Sequence, residues 1–442
     1  MLLSEDDARK LTAQILSYVK ADDAQASVRS EKNSNLRFAN NAFLTSGSTV
    51  EIGADITVWK KGRSGSASTS DFEDSSLKKM VEQAEKVAEL SPVDKQYLPT
   101  LGKQTYKSVD GYADTTANVV FRDRAERTAR IISDSKQKDV IAAGFHEARS
   151  RANATATRNG NFEFERSTFA SLSVTARAKD GSSSGYFERG HHDIKKLDTD
   201  RVARESISKA SNGRGAKVIE PGVYPVILEP QAVGDLYGRL RFQFDARLAE
   251  EGRSPFSVSR GTTKLGQKVF DEKLTIMSDP WNKDAPGSQS AQDGLPAEKL
   301  YLVRNGVVEN LVYSRYWAET KKVKPTAGPV NMIMHGTGNG IPVEEMIKVS
   351  KKALLIGRFW YIRTTDARTA SVTGLTRDGV WMVENGKIAY PVTNLRFNES
   401  LINALAPGNV EGIGVPERIG SSSMLPALKL KTFNFTSISE AV

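Results

Sequence analysis

Residues 50–58 of the chain read Val-Glu-Ile-Gly-Ala-Asp-Ile-Thr-Val, and this stretch decides the fold class. Apolar residues occupy its alternate positions: Val50, Ile52, Ala54, Ile56 and Val58. Such alternation predicts a β-strand with one buried face. Upstream, Ser4 and the acidic residues after it are typical of the start of a helix, here an amphipathic helix over 5–20. Downstream, a second helical pattern ends at Ser91-Pro92. Helices on both sides of antiparallel strands predict an α+β layer.

The remainder of the N-terminal region extends the same pattern. A polar connector near 92–115 precedes a predicted helix over roughly 117–136. A β-meander follows, and its Asn159-Gly160 pair is typical of a hairpin turn. We therefore expect an N-terminal α/β domain over residues 1–215, in which helices flank an antiparallel sheet.

The C-terminal region, residues 216–442, is predicted to be a larger β-rich domain. Its patterns begin with a short strand at 222–228 and a helix from about 231 to 250. An apolar strand is predicted over Ala353–Arg363, and two further Asn-Gly pairs, at 305–306 and 385–386, indicate hairpins.

Composition excludes several classes of protein. The 442 residues are 39% hydrophobic and 26% charged, which is the balance of a globular protein rather than a disordered one. There is no cysteine, so disulfides, thiolate nucleophiles and cysteine-based zinc sites are excluded. The net charge of +9 is modest for this length and makes nucleic acid an unlikely partner. We find no apolar stretch long enough to span a membrane and no signal peptide, so we expect a cytoplasmic protein.

The four histidines do not form a recognisable metal motif. His146-Glu147 lacks a second histidine at Ser150 or Arg151, where the HExxH and HExxxH patterns require one. His191-His192-Asp193 is interpreted as a surface loop, with a metal site as the alternative. His335 is interpreted as a residue at the end of a strand or in a loop, and the glycine-rich segment 335–340 lacks the Lys-Ser/Thr of a phosphate-binding loop.

The segment Gly252-Arg253-Ser254-Pro255-Phe256 has two interpretations. Glycine suits the position after a helix and proline prevents the helix from continuing, which favours a simple helix stop. The alternative is a loop that packs against a bound peptide or a partner.

Motifs along the whole chain resemble the TldD/PmbA family, whose members have been described as modulators of DNA gyrase. The matching stretches are 53–58, 62–63, 67–69, 252–256, 293–296, 302–308, 324–331, 372–374, 380–388 and 426–428. The resemblance implies an N-terminal α/β domain and a larger β-rich domain, assembled as dimers. It also makes Gly252, Arg253, Ser254, Phe256 and Trp381 candidate contacts for a peptide or a partner.

In TldD-type members, an HExxxH motif on the helix after the strand equivalent to 222–228 binds zinc together with a cysteine. The two histidines would hold one zinc ion, and the glutamate would activate its water. In this sequence Pro230, Gln231 and Asp235 stand where His, Glu and His would be, and the cysteine is absent. The resemblance therefore implies no catalytic residue, metal ligand or cofactor in this chain, and zinc only in a TldD-like partner.

In lacking the zinc motif, the sequence resembles the TldE/PmbA members of the family. These members also lack the motif and pair with a TldD subunit. The first hypothesis is a zinc-free subunit of a TldD/TldE-type metallopeptidase that acts on unfolded peptides. The second is a non-enzymatic, homodimeric protein that binds peptides or a partner, as the name gyrase modulator implies. A third is a divergent peptidase that uses His191, His192 or Asp235.

Overall fold

A six-stranded antiparallel sheet forms the N-terminal part of the computed structural model, which describes residues 2–238 and 240–439. The strands lie in the order β3-β2-β1-β4-β5-β6. Their bounds are β1 (Asp23–Ala39), β2 (Ala42–Lys60), β3 (Arg63–Thr69), β4 (Val140–Thr157), β5 (Phe162–Ala178) and β6 (Ser184–His191). The predicted hairpin turn at Asn159-Gly160 joins β4 to β5, and Gly160 adopts a φ of 87° there.

Helices cover one face of this sheet. They are α1 (Glu5–Ser17), α2 (Asp74–Leu90), α3 (Asp114–Ala117), α4 (Phe121–Gln137) and α5 (Thr199–Asn212). Ser4 caps α1 as predicted, because its hydroxyl accepts from the Asp7 amide at 3.1 Å. α1 and α2 share a core with the β1–β2 end of the sheet, and α4 and α5 share a second core with β4 and β5. The α+β prediction is confirmed.

The strand predicted over 50–58 is only part of β2, and three of its five apolar residues are buried. Ala54, Ile56 and Val58 are at most 1% exposed, because they pack against the apolar side of α2. Val50 and Ile52 are 53% and 40% exposed. Alternation in the sequence identifies the face of a strand, but the length of the covering helix decides how much of that face is buried.

The C-terminal part consists of shorter strands in two larger sheets and one small hairpin. The small hairpin is β8 (Ser257–Ser259) with β9 (Thr262–Thr263). One sheet has the order β12-β11-β10-β13-β22-β21, with β10 (Thr275–Ser278), β11 (Leu300–Arg304), β12 (Val307–Val308), β13 (Met332–His335), β21 (Glu417–Ile419) and β22 (Ser423–Leu425).

The other large sheet has nine strands in the order β15-β16-β19-β23-β7-β14-β17-β18, with β20 also paired to β23. They are β7 (Gly222–Leu228), β14 (Lys352–Ile356), β15 (Phe359–Asp366), β16 (Ser371–Thr376), β17 (Val380–Glu384), β18 (Lys387–Pro391), β19 (Leu395–Ser400), β20 (Val410–Ile413) and β23 (Leu428–Ile438). Short helices connect the sheets: α6 (Pro230–Tyr237), α7 (Ala246–Glu250), α8 (Arg315–Lys321), α9 (Val343–Lys348) and α10 (Leu401–Ala404).

Two predictions for this part are wrong in detail. The helix predicted from about 231 to 250 is divided into α6, a 3₁₀ turn over Leu240–Phe244 and α7. Asp245 starts α7 because its carboxylate accepts from the Leu248 amide at 2.7 Å, so it caps a new helix instead of continuing the old one. The strand predicted over Ala353–Arg363 is also two strands, β14 and β15, which Gly357-Arg358 separates.

The segment around the predicted domain boundary at 215–216 lies between α5 and β7. The connector near 92–115 contacts the C-terminal part directly. Tyr106 donates its hydroxyl to the Gly294 carbonyl at 2.8 Å, and the Trp281 indole donates to the Ser108 carbonyl at 3.2 Å. None of the helices within the described ranges has an apolar segment long enough to cross a bilayer.

Candidate functional site

The positions that resemble the zinc motif lie on α6, directly after β7. Pro230 occupies the first turn of this helix and offers no side-chain donor or acceptor. Gln231 donates its side-chain amide to Asp235 Oδ1 at 3.0 Å, and the Phe359 backbone amide donates to Asp235 Oδ2 at 2.9 Å. Both carboxylate oxygens of Asp235 are therefore engaged by groups of the chain itself.

Burial raises the pKa of Asp235 to about 6, and the nearby Glu188 adds to this shift. The hydrogen bonds from Phe359 and Gln231, and the charge of Arg358, oppose it. The carboxyl group is consequently ionised only in part just below neutral pH. It lines a cleft of about 360 Å³ together with residues 359–363 of β15.

Charged side chains beside Asp235 form pairs that join the two halves of the molecule. Lys209 of α5 pairs with Glu229, and their side chains are 7% and 16% exposed. Arg358 donates to Asp378 Oδ2 at 2.9 Å, while the Ser184 hydroxyl donates to Asp378 Oδ1 at 2.7 Å. We call Lys209, Glu229, Asp235, Arg358 and Asp378 the Asp235 cluster. Within it, each cation lies against a carboxylate.

The residues at this position do not fit a zinc ion. Zinc in proteins takes Cys, His or carboxylate ligands, usually four in a tetrahedron with at least three from the protein. Pro230 supplies none, and Asp235 already accepts two N–H bonds. Across residues 2–238 and 240–439, no three His, Cys, Asp or Glu side chains lie close enough together to hold a metal.

His146 lies in the interior of the N-terminal sheet. It is 0% exposed, neither ring nitrogen has a hydrogen-bond partner, and burial lowers its pKa to about 3, with Arg124 and Arg127 adding to the shift. It is a neutral core residue. Glu147 points to the opposite face, where it accepts from the Asn33 side chain at 3.2 Å.

The surface loop predicted at His191-His192 is wrong. His191 ends β6, and the two side chains are 7% and 8% exposed, because the C-terminal part covers this edge of the sheet. His191 Nδ1 accepts from the Asp193 amide and His192 Nδ1 accepts from Arg418, both at 2.9 Å. Burial lowers the pKa of each imidazole. His335 lies at the end of β13, as predicted.

Two sequence comparisons address the family directly. Residues 221–437 match the family model described as PmbA/TldA metallopeptidase C-terminal domain, and residues 24–88 match PmbA/TldA metallopeptidase domain 1. The chain belongs to the TldD/PmbA family. The family predicted from the resemblance is thus confirmed.

Relatives of this TldD/PmbA protein include a metalloprotease of Methanothermobacter thermautotrophicus, 23% identical over 57% of this chain and 58% of that protein. A metalloprotease TldD homolog of Buchnera aphidicola is 22% identical over 49% of this chain and 47% of its own. The matched regions thus span about half the length of these two relatives.

Solved structures share the fold across the whole chain. TldE from Thermococcus kodakarensis superposes with a TM-score of 0.85 at 15% identity, covering 97% of this chain and 99% of that one. A Thermotoga maritima protein described as a modulator of a DNA gyrase gives 0.84 at 18% identity, covering 97% and 100%.

The structure places most of the candidate contact residues of this TldD/PmbA protein inside. Phe256 is 0% exposed and stacks on Phe244 with ring centroids 4.4 Å apart. Ser254 is 2% exposed and donates to the Gln243 carbonyl, and Trp381 is 7% exposed in β17. These three side chains pack inside the chain, and their contact with a peptide or a partner stays a prediction. Gly252 and Arg253 lie at the surface after α7, and their contact with a peptide or a partner stays a prediction.

Sequence reasoning missed two free sheet edges. β2 pairs with β3 only over residues 54–60, so in the described chain the outer edge of residues 42–53 has no neighbouring strand. Phe43, Leu44, Val50 and Ile52 are exposed there by 40% or more. β15 ends the nine-stranded sheet beside Asp235, with Trp360 and Tyr361 exposed. The sequence did contain one signal for the β2 edge. Phe43 and Leu44 are adjacent apolar residues in a segment without a helix or strand pattern.

Proposed function

We propose that this chain is a TldE/PmbA-like, zinc-free subunit that assembles in the cytoplasm with a zinc-bearing, TldD-like paralogue. The pair would cleave unfolded peptides, with the catalytic zinc in the partner. The observation that carries this proposal is the chemistry of α6. The chain keeps the family fold, yet Pro230 and the doubly bonded Asp235 stand where zinc ligands would be.

The free edge of β2 supports the need for a partner. A long strand with unpaired N–H and C=O groups and exposed apolar side chains is unfavourable in water and can pair with another chain. Val50 is 53% exposed on this edge, and Phe43 is 49% exposed at its far end. We place the contact with the TldD-like subunit at residues 42–53 of β2.

The free edge of β15 supports peptide binding. An extended peptide can add to a sheet edge through main-chain hydrogen bonds, and such bonds accept almost any side chain. β15 also lines the cleft beside Asp235 together with exposed aromatic side chains. An unfolded substrate held there would explain tolerance of sequence, with cleavage left to the partner's zinc.

The test is to purify the chain alone and together with the TldD-like paralogue from the same genome. We expect the chain alone to contain no stoichiometric zinc by atomic absorption and to leave an unstructured fluorogenic peptide intact. We expect the complex to contain zinc and to cleave the peptide. Stoichiometric zinc and cleavage by the isolated chain would overturn the proposal.

A matched pair of variants tests the contact at β2. Val50→Lys should abolish co-purification with the paralogue, because it introduces a charge into an apolar interface. Val415→Lys is the control, since Val415 is 52% exposed and lies between β20 and β21, outside the sheet that contains β2. Equal co-purification of both variants would contradict this contact. Recovery of a homodimer without any paralogue would favour the non-enzymatic binding protein.

A further inference from the structure

A second polar cavity has a volume of about 230 Å³. It lies between loops of the C-terminal part and the face of the N-terminal sheet opposite its helices. Arg149 and Arg151 of β4 line it from the sheet, and Arg418 of β21 lines it from the other side. We call it the arginine cavity. It is separate from the Asp235 cluster, with which it shares no residue.

Arg149 is the first unusual feature of this cavity. Its side chain is half-buried, yet among the described residues it has no hydrogen-bond or ion-pair partner. A guanidinium that is partly removed from water without a partner is unfavourable unless something else binds it. Arg149 therefore leaves an uncompensated positive charge at the cavity wall.

Arg418 is the second unusual feature of the arginine cavity. It is 8% exposed, and it donates to His192 Nδ1 at 2.9 Å and to the carbonyls of Asp284 and Ser421 at 2.7 and 2.6 Å. None of these partners is a carboxylate. Its Nε is buried without a partner, and these contacts leave one N–H of Nη2 unused. Burial lowers the pKa of Arg418 to about 10, which still leaves it charged at neutral pH.

The charge of Asp284 opposes the fall in the pKa of Arg418, but neither arginine is hydrogen-bonded to a carboxylate of the described chain. Glu31 is taken up by Arg151, which donates Nε to its carboxylate at 2.7 Å. Glu165 accepts from the Gln289 amide at 3.1 Å, and burial raises its pKa to about 7, so much of it is protonated at neutral pH. His192 accepts from Arg418 and is neutral. Three arginines and one glutamate, Glu165, thus line the cavity, so its lining carries an excess of positive charge.

We infer that the arginine cavity binds an oxyanion, the carboxylate of a small acid or peptide terminus or a phosphate, between Arg149 and Arg418. Guanidinium groups are well suited to both, because their planar N–H pairs match two oxygens. Ser421 and Ser422 also line the cavity, and a serine hydroxyl can donate a further hydrogen bond. The inference concerns this chain alone and does not depend on the proposed peptidase partner.

The experiment is isothermal titration of the full chain with three probes: inorganic phosphate, an N-acetylated dipeptide with a free carboxylate, and the same dipeptide as its amide. We expect saturable binding of phosphate or of the dipeptide acid, and none of the amide. Phosphate binding alone identifies a free oxyanion as the ligand, and dipeptide-acid binding identifies a peptide terminus. Absence of saturable binding of both anions would overturn the inference.

Arg149→Gln should weaken anion binding about tenfold or more, since a charge-assisted hydrogen bond is lost. This variant is expected to fold, because Arg149 holds no other residue in place. Arg37→Gln is the matched control: Arg37 lies on the same face of the same sheet, is exposed and is outside the cavity. Equal affinity of the two variants would refute the assignment, and an unchanged affinity for Arg37→Gln alone would support it.

Discussion

The Asp235 cluster and the arginine cavity lie along the same boundary between the N-terminal sheet and the C-terminal sheets, and they differ in how their charges are balanced. In the Asp235 cluster, Lys209 meets Glu229 and Arg358 meets Asp378. In the arginine cavity, neither Arg149 nor Arg418 has a carboxylate partner in the described chain. Cations paired with carboxylates at this boundary stabilise the fold. A cavity whose arginines lack a carboxylate partner is instead suited to an anionic ligand.

The largest expected effect comes from breaking a pair in the Asp235 cluster. Lys209→Met leaves the carboxylate of Glu229 buried without its cation, and such a loss costs about 3–5 kcal/mol of the free energy of unfolding. Denaturant unfolding followed by circular dichroism measures it.

Two controls sharpen this prediction. Adding Glu229→Leu to Lys209→Met should restore most of the stability, because no uncompensated charge remains. Lys78→Met, which removes the exposed partner of Asp74, should change stability by less than about 1 kcal/mol. A Lys209→Met effect as small as that of Lys78→Met would mean that the pair does not stabilise the fold.

A smaller effect is expected at Asp235, where the shifted pKa makes stability depend on pH. The folded pKa of about 6 lies above the ordinary value of 3.8, so the folded state favours the protonated carboxyl. Stability from this group is fully present below pH 3.8 and is lost as pH rises to about 6. Asp235→Asn should therefore be more stable than wild type by up to about 3 kcal/mol at pH 7.5, and equally stable below pH 4.

Thermal unfolding of both proteins across pH 3.5–8 checks the prediction for Asp235. The difference between them should grow between pH 4 and 6 and then level off. A variant that is less stable than wild type at pH 7.5 would show that the charged carboxylate is needed by its hydrogen-bond donors, Gln231 and the Phe359 amide.

The smallest effect is expected in the arginine cavity without ligand. Arg149→Gln removes no hydrogen bond or ion pair of the described chain, so the free energy of unfolding should change by less than about 0.5 kcal/mol. The anion that binds in the titration should then raise the melting temperature of wild type more than that of this variant. A clear loss of stability in the ligand-free variant would show that Arg149 stabilises the fold instead of serving a ligand.

Much of the fold follows from local patterns. The cap at Ser4, the turn at Asn159-Gly160 and the α+β order depend on residues close together in the chain, and the structure has them as predicted. The predictions that were wrong depend on distant residues. Val50 is 53% exposed although it continues the alternation of Ile56, and His192 is buried where Arg418 donates to it.

The sequence by itself determined that the HExxxH pattern is absent from α6, since residue identity alone decides whether a donor exists. It also determined the family and the alternating strands. Only the tertiary structure decided which charges are paired, because His192 and Arg418 meet across 226 residues and Ser184 and Asp378 across 194. Pairing and burial change the energy of a charge by several kcal/mol, and both depend on which distant residues the fold brings together.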